Sequence, residues 1–168
     1  MTRSALFLVL GLMSFGVSLA SAAPDYGAIV KNWYEKGVEG GDTQLVMDTL
    51  SDDIQWWCFG PAGFTMNDYY QGKDGVGQFF DRLGNELVVD TAQNFRVHQM
   101  DVSGNVVNVY GLEKGTITPF VKQNAPALKG DTFYNYFNHR LELNEQGKIT
   151  RFRCNWALFD HPVAVAPF

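Results

Sequence analysis

The closing stretch of the chain, residues 133–160, contains most of the side chains that can do chemistry. Its pattern predicts two long strands joined by a tight turn. A strand that buries a plain core alternates apolar with polar residues. Here Asn135, His139, Cys154 and Trp156 occupy inward positions where such a core favours leucine or valine. A mixed face of this kind is typical of a cavity wall, so the sequence predicts a small-molecule site on these two strands.

His139 and Tyr34 are the candidate catalytic residues. Histidine titrates near neutrality and can take up or release a proton. Because Phe137 and Leu141 share its strand face, we expect apolar surroundings that lower the pKa of His139 and keep it a neutral base. Tyr34 can donate a hydrogen bond to a carbonyl or enolate oxygen. The structural alternatives are a buried histidine bonded to a protein group and a tyrosine whose ring belongs to the core.

The candidate substrate-binding residues line the same predicted cavity. Asn135 can orient a ligand carbonyl, although a buried asparagine often just satisfies a neighbouring polar group. Trp156 can stack on a flat ligand. The other members of this set are Trp56, Phe137, Phe152 and Cys154. Packing against the helices is the alternative role for the aromatic members.

Two aspartates and two cysteines are weaker candidates. Asp53 and Asp160 lie at predicted strand ends, where each is either a base at the cavity rim or a solvated carboxylate. Cys58 and Cys154 are compatible with a disulfide or with two packed free thiols. No nearby histidine or asparagine signature marks either one as a nucleophile.

The sequence predicts neither a metal site nor a cofactor. His98, His139 and His161 are scattered, without the spacing that directs two ligands at one ion. No glycine-rich phosphate-binding loop follows a predicted strand. Proton transfer beside a carbonyl group needs only a base and a hydrogen-bond donor, so this chemistry is compatible with a cofactor-free site.

Residues 1–22 have the features of a signal peptide. Arg3 supplies the positive charge, Ala5–Leu19 is apolar, and small residues at 20–22 form a cleavage site. The apolar run is short for a membrane-spanning helix, which needs about 20 residues, and no basic cluster follows it. We therefore expect an exported protein, periplasmic or secreted, with no membrane association after cleavage. Residues 23–168 form the expected mature domain.

Charge and composition restrict the partners. The net charge of −5 becomes −6 when cleavage removes Arg3, which is the only charged residue of the first 22. No cluster of lysine and arginine interrupts this acidity, which argues against a nucleic-acid partner. The aromatic content of 14% suits an apolar cavity. The expected partner is therefore a small hydrophobic molecule.

The elements that position these residues form an α+β arrangement. Apolar residues at three- and four-residue spacing predict three helices, the first of which ends at Gly40-Gly41. The expected helices are 26–40, a short one capped by Asp42 or Thr43, and 73–87; the expected strands are 54–59, 68–71, 93–102, 106–118 and the closing pair. Residues 119–130, which include two prolines, are expected to be a loop. This order predicts three N-terminal helices packed on one face of a strongly curved antiparallel sheet that encloses a pocket.

This layout resembles the SnoaL-like branch of the nuclear transport factor 2-like superfamily. The matching pieces are the first helix ending in Gly41-Asp42, the segments LSDDIQWW and YYQGKDGVGQFF, and the closing hairpin around residues 147–149. Each piece alone is weakly specific, but their order and spacing match through almost the whole mature chain. The resemblance implies a cone-shaped roll with a pocket, and a homodimer formed through the outer face of the sheet.

The ketosteroid isomerase branch of this superfamily allows a comparison residue by residue. Its oxyanion-hole tyrosine corresponds to Tyr34, and its neutral aspartic acid corresponds to His139. Its general-base aspartate falls at or near Cys58, so no carboxylate stands at that position. The resemblance also places Phe152, Cys154 and Trp156 on pocket-lining positions of the last strand.

Two function classes remain open from the sequence. The first is an exported, cofactor-independent lyase or isomerase, polyketide cyclase-like, that acts on a small apolar carbonyl compound with His139 as base and Tyr34 as oxyanion donor. The second is a non-catalytic binding protein for a small hydrophobic ligand, which the missing base carboxylate favours. An interaction module with a closed pocket is a third, weaker alternative. Convergence of Tyr34 and His139 on one point of a cavity favours the enzyme.

Overall fold

The structure, a computed structural model, describes residues 23–89 and 95–163. Within these residues helices and strands follow the predicted order closely. The helices are α1 (Tyr26–Asn32), α2 (Thr43–Thr49), α3 (Gly72–Glu86) and α4 (Pro119–Asn124), with a π-helical segment Trp33–Val38 continuing α1. The strands are β1 (Leu50–Phe59), β2 (Tyr69–Gln71), β3 (Val88–Val89), β4 (Phe95–Ser103), β5 (Val106–Thr116), β6 (Thr132–Leu143) and β7 (Ile149–Phe159).

The strands form one sheet in the order β2-β1-β7-β6-β5, and both β3 and β4 pair with the remaining edge of β5. Shifts of register in the β1–β7, β4–β5 and β6–β7 pairs mark bulges, which bend a sheet. The predicted α+β class, with helices packed on a curved sheet around a pocket, is confirmed. One pair differs from the predicted antiparallel pattern, because β1 and β7 run parallel. These two strands are far apart in sequence, so no hairpin dictates their direction.

The N-terminal helices place Tyr34 over the sheet. The side chain of Asp25 accepts a hydrogen bond from the backbone N–H of Ala28 and begins α1, and Asp42 caps α2 by accepting from Leu45. The π-helical segment between them buries Trp33 and Tyr34. Short π-helical segments often occur at functional sites, because they redirect side chains that a regular helix would place elsewhere.

Two local predictions are wrong. Residues 119–124 form helix α4 rather than a loop, because Thr118 caps the first turn by accepting from the backbone N–H of Val121 and Pro119 occupies the first helical position. Strand β1 begins at Leu50 rather than at Ile54, since the expected break at residues 51–53 is part of the strand.

Candidate active site

A cavity of about 500 Å³ lies between the helices and the inner face of the sheet. All eight residues that the sequence predicts for the site line it. They are Tyr34, Trp56, Asn135, Phe137, His139, Phe152, Cys154 and Trp156. Strand alternation explains this grouping, because Asn135, Phe137 and His139 follow one another at every second position of β6. The wall is mainly apolar, so its few polar groups decide what the site can do.

Tyr34 and His139 form a hydrogen-bonded pair at one part of this wall. The Tyr34 hydroxyl oxygen lies 2.6 Å from His139 Nδ1. Burial lowers the pKa of His139 to about 3, and the ring is therefore neutral near pH 7. Burial, and then the nearby Cys154, raise the pKa of Tyr34 well above its ordinary value, so the phenol keeps its proton. When Nδ1 carries the imidazole proton it donates to the Tyr34 oxygen, and the Tyr34 O–H is then free to donate to a ligand oxygen.

Glu113 is a polar residue of the site that the sequence analysis missed. It lines the cavity, is 9% exposed, and its Oε1 accepts a hydrogen bond of 2.5 Å from Asn135 Nδ2. Burial raises the pKa of Glu113 to about 7, while the hydrogen bond from Asn135 partly opposes this change. A carboxyl group with this pKa can accept or release a proton at neutral pH.

The sequence does contain a signal for Glu113. On β5, buried residues alternate with exposed or half-buried ones, and Glu113 is in phase with Val107 and Val109. A charged residue in phase with the apolar face of a strand is either paired or functional. This phase alone identifies Glu113 as an inward-facing carboxylate.

Cys58 and Cys154 are free thiols that face each other across the parallel pair of strands. Cys154 is also the register partner of His139 on β6. Burial, and then the Cys58 thiol, raise the pKa of Cys154 well above its ordinary value, and the charge of Glu113 acts in the same direction. Cys154 therefore interacts electrostatically both with Glu113 and with Tyr34, which connects the two polar parts of the cavity.

Aromatic rings form the rest of the wall. Trp56 stacks on Phe152 with ring centroids 3.7 Å apart, and Phe137 stacks on His139 at 4.3 Å. The Trp156 indole N–H donates to Asn67 Oδ1 at 2.8 Å, which fixes that ring near the edge of the site. A cavity of this shape favours flat, apolar ligands, and its polar groups lie at a few fixed points.

Comparison with known proteins finds no protein-family model and no curated protein that matches this chain. Solved structures do match. An NTF2-like protein from Burkholderia thailandensis E264 has a TM-score of 0.59 and 22% sequence identity, over 78% of this chain and 89% of that chain. The chain has the NTF2-like fold. The abbreviation denotes nuclear transport factor 2, and the predicted superfamily resemblance is thereby supported at the level of fold.

Two further structural neighbours are described in terms of an enzyme activity. A putative isomerase from Rhodopseudomonas palustris has a TM-score of 0.57 and 12% identity, over 79% of this chain and 90% of that chain. The epoxide hydrolase/cyclase-like enzyme SalBIII is described for pyran ring formation in the polyether salinomycin. It has a TM-score of 0.54 and 17% identity, over 78% of this chain and 89% of that chain. At these identities the likeness shows the fold alone.

Of the weaker sequence candidates, Cys58 lines the cavity of this NTF2-like chain, whereas the two aspartates do not. Asp53 is exposed on β1, and Asp160 bonds to the neighbouring His161. Among residues 23–89 and 95–163, no three histidine, cysteine or carboxylate side chains form a group that can hold a metal ion. No helix within this described part is long and apolar enough to cross a membrane. The predicted signal peptide, residues 1–22, lies outside the described residues.

Proposed function

We propose that this protein is a cofactor-independent enzyme that transfers a proton beside the carbonyl group of a small, largely apolar compound. The observation that supports this most is Glu113, a buried carboxyl with a pKa of about 7 in the wall of an aromatic cavity that also contains the Tyr34–His139 pair. The pair supplies a hydrogen-bond donor for the carbonyl oxygen, and Glu113 supplies a base that is half ionised near pH 7.

The proposed division of roles differs from the one that the sequence suggests. With a pKa of about 3, His139 is neutral but a weak base at neutral pH. Its contact with Tyr34 suits it to orient the phenol, whereas Glu113 suits the proton-transfer role. In the proposed step the Glu113 carboxylate takes a proton from the carbon next to the carbonyl. The electron pair moves onto the carbonyl oxygen, where the Tyr34 O–H stabilises the enolate. Return of the proton to another carbon, or to the opposite face of the same carbon, completes an isomerisation.

A probe ketone tests this proposal without knowledge of the natural substrate. In D₂O, wild-type protein should accelerate exchange of the protons next to the carbonyl of 2-propionaphthone, measured by NMR. Exchange should increase with pH as Glu113 ionises and reach a plateau above about pH 7. Glu113→Gln should lower the rate by roughly 100-fold or more, and Tyr34→Phe by roughly 10- to 100-fold. Asn85→Leu, at an exposed position of α3, should leave the rate unchanged.

A non-catalytic carrier is the second candidate, and one contact favours it. The Tyr34 hydroxyl already has a partner in His139, so the pair needs no substrate to satisfy it. A carrier would bind the ketone, detected by quenching of tryptophan fluorescence, yet show only buffer-level exchange in every variant. Binding without exchange would therefore reject the enzyme and retain the carrier.

We also propose that the protein is exported and forms a homodimer through the outer face of its sheet. Cleavage after Ala22 is supported by the composition of residues 1–22, and a mature protein mass that begins at Ala23 would agree with it. A broad groove on the outer face, bordered by β4, β5, β6 and β7, supports the dimer. Leu112 and Tyr136 are among its walls.

A further inference from the structure

Asn135 has an unused hydrogen-bond acceptor inside the protein. The side chain is 4% exposed and lines the cavity. Its Nδ2 donates to Glu113 Oε1, but its Oδ1 accepts no hydrogen bond from any described residue, although that atom is buried. Buried polar atoms in proteins nearly always have a partner, so an orphaned acceptor in a cavity wall indicates that a donor comes from the cavity's contents.

The surroundings of Asn135 leave few sources for this donor. Its neighbours on the same face of β6 are Phe133 and Phe137, and its register partner on β7 is Leu158. None of these side chains has a donor. Glu113 already accepts from the other end of the same amide, and its charge would repel a second carboxylate. The missing partner is therefore an O–H or N–H group of a molecule in the cavity.

We infer that the substrate is a hydroxy ketone whose hydroxyl group donates to Asn135 Oδ1 while its carbonyl oxygen accepts from Tyr34. This inference rests on the proposed function, because it places the reacting carbon at Glu113. Since Oδ1 and the nitrogen bonded to Glu113 belong to one amide group, the hydroxyl lies next to the carboxylate that takes the proton. It is accordingly on the reacting carbon or on the carbon after it. A flat apolar remainder fits the aromatic wall.

Affinities for matched ketones test this inference independently of turnover. The probes are 2-propionaphthone and its derivatives with a hydroxyl on the second or on the third carbon of the propionyl chain, together with the methyl ether of each. Dissociation constants are measured by tryptophan fluorescence at pH 7. At least one hydroxylated ketone should bind wild-type protein about tenfold tighter than both the parent ketone and its own methyl ether.

Variants then locate the source of this preference. Asn135→Leu should reduce the ratio between hydroxylated and parent ketone to about one, whereas Asn85→Leu, at an exposed position of α3, should keep it at about tenfold. Tyr34→Phe should weaken all the ketones by a similar factor and preserve the ratio. Thermal unfolding checks that each variant folds. If Asn135→Leu does not fold, the smaller substitution Asn135→Ala replaces it and should likewise reduce the ratio to about one, since it also removes Oδ1.

Each outcome either supports or overturns the assignment of a ligand hydroxyl to Asn135. The expected pattern without any proton exchange would support the hydroxyl site and reject the catalytic proposal. Equal affinity of wild-type protein for hydroxylated and parent ketones would overturn the inference, and would indicate that water alone satisfies Asn135. A preference that survives in Asn135→Leu would overturn it as well. Failure of every ketone to bind would overturn both the inference and the proposed function.

Discussion

Burial changes the pKa values of Glu113 and His139 in opposite directions, because each change favours the neutral form. Glu113 is the acid of the two, and its pKa rises to about 7; His139 is the base, and its pKa falls to about 3. The low-dielectric wall therefore holds both groups uncharged over much of the range between these values. A neutral donor pair beside a carboxyl that is ready to ionise is a suitable starting state for proton transfer.

The same pKa changes predict how stability depends on pH. The folded-state pKa of Glu113 is raised above its ordinary value of 4.5. The neutral carboxyl therefore contributes fully to the unfolding free energy below pH 4.5, and this contribution is lost as pH increases through about 7. The loss is on the order of 3 kcal/mol of unfolding free energy for such a change in pKa. Glu113→Gln should lack this loss. Its stability relative to wild type should therefore increase by about this amount between pH 4.5 and 8, as measured by urea unfolding.

His139→Gln tests the opposite pH dependence of the unfolding free energy, because burial lowers the pKa of His139. The folded-state pKa of His139 is lowered from 6.5 to about 3. The neutral imidazole therefore contributes fully to the unfolding free energy above pH 6.5, and this contribution is lost as pH falls to about 3. Removal of this imidazole should flatten the acid side of the stability profile and leave the alkaline side unchanged.

Parallel profiles for Glu113→Gln and wild type above pH 5 would show that Glu113 ionises without a folding cost.

Gly111 of β5 leaves room for the Phe137 ring, because glycine has no side chain. A Cβ atom on Gly111 would lie 2.1 Å from Cζ of Phe137 and 2.6 Å from the carbonyl oxygen of Arg96. Gly111→Ala should therefore displace the Phe137 ring and lower the unfolding free energy by about 1–3 kcal/mol. Gly84→Ala is the matched control, because no atom lies within 4 Å of a Cβ at that position of α3. It should be neutral or stabilise by up to about 1 kcal/mol, and equal effects in urea unfolding would contradict the packing argument.

Elements with strong local patterns could be predicted from the sequence, and elements set by distant contacts could not. The alternation in β6 and β7 correctly placed six of the predicted residues on one cavity wall, whereas Tyr34 lies on the π-helical segment after α1 and Trp56 on β1. The short helix α4 was not predicted because Pro119 and Pro126 together favour a loop, although Thr118 and Pro119 form a helix start. The parallel pairing of β1 with β7 has no local signal, since it joins segments about 90 residues apart in sequence. The position of Glu113 in the cavity wall follows only from its phase on β5, which it shares with Val107 and Val109.

At the scale of the whole molecule, the two faces of the sheet have different tasks. The inner face encloses the cavity, and the outer face has the groove that we propose as the dimer contact. In a two-fold dimer the same patch of each copy meets its counterpart, so one substitution acts twice at the interface. An acidic substitution there also adds to the acidity of the chain, whose net charge is −5.

The dimer is tested most directly at Leu112, a partly buried apolar side chain in the outer groove. Wild-type protein should sediment as a dimer at micromolar concentration. Leu112→Glu should raise the dimer dissociation constant by about tenfold or more, because it buries like charges near each other in the contact. Gln78→Glu adds the same charge on the exposed side of α3 and should leave the dimer intact. A wild-type monomer, or a Leu112→Glu dimer as tight as wild type, would show that this face of the sheet is not the dimer contact.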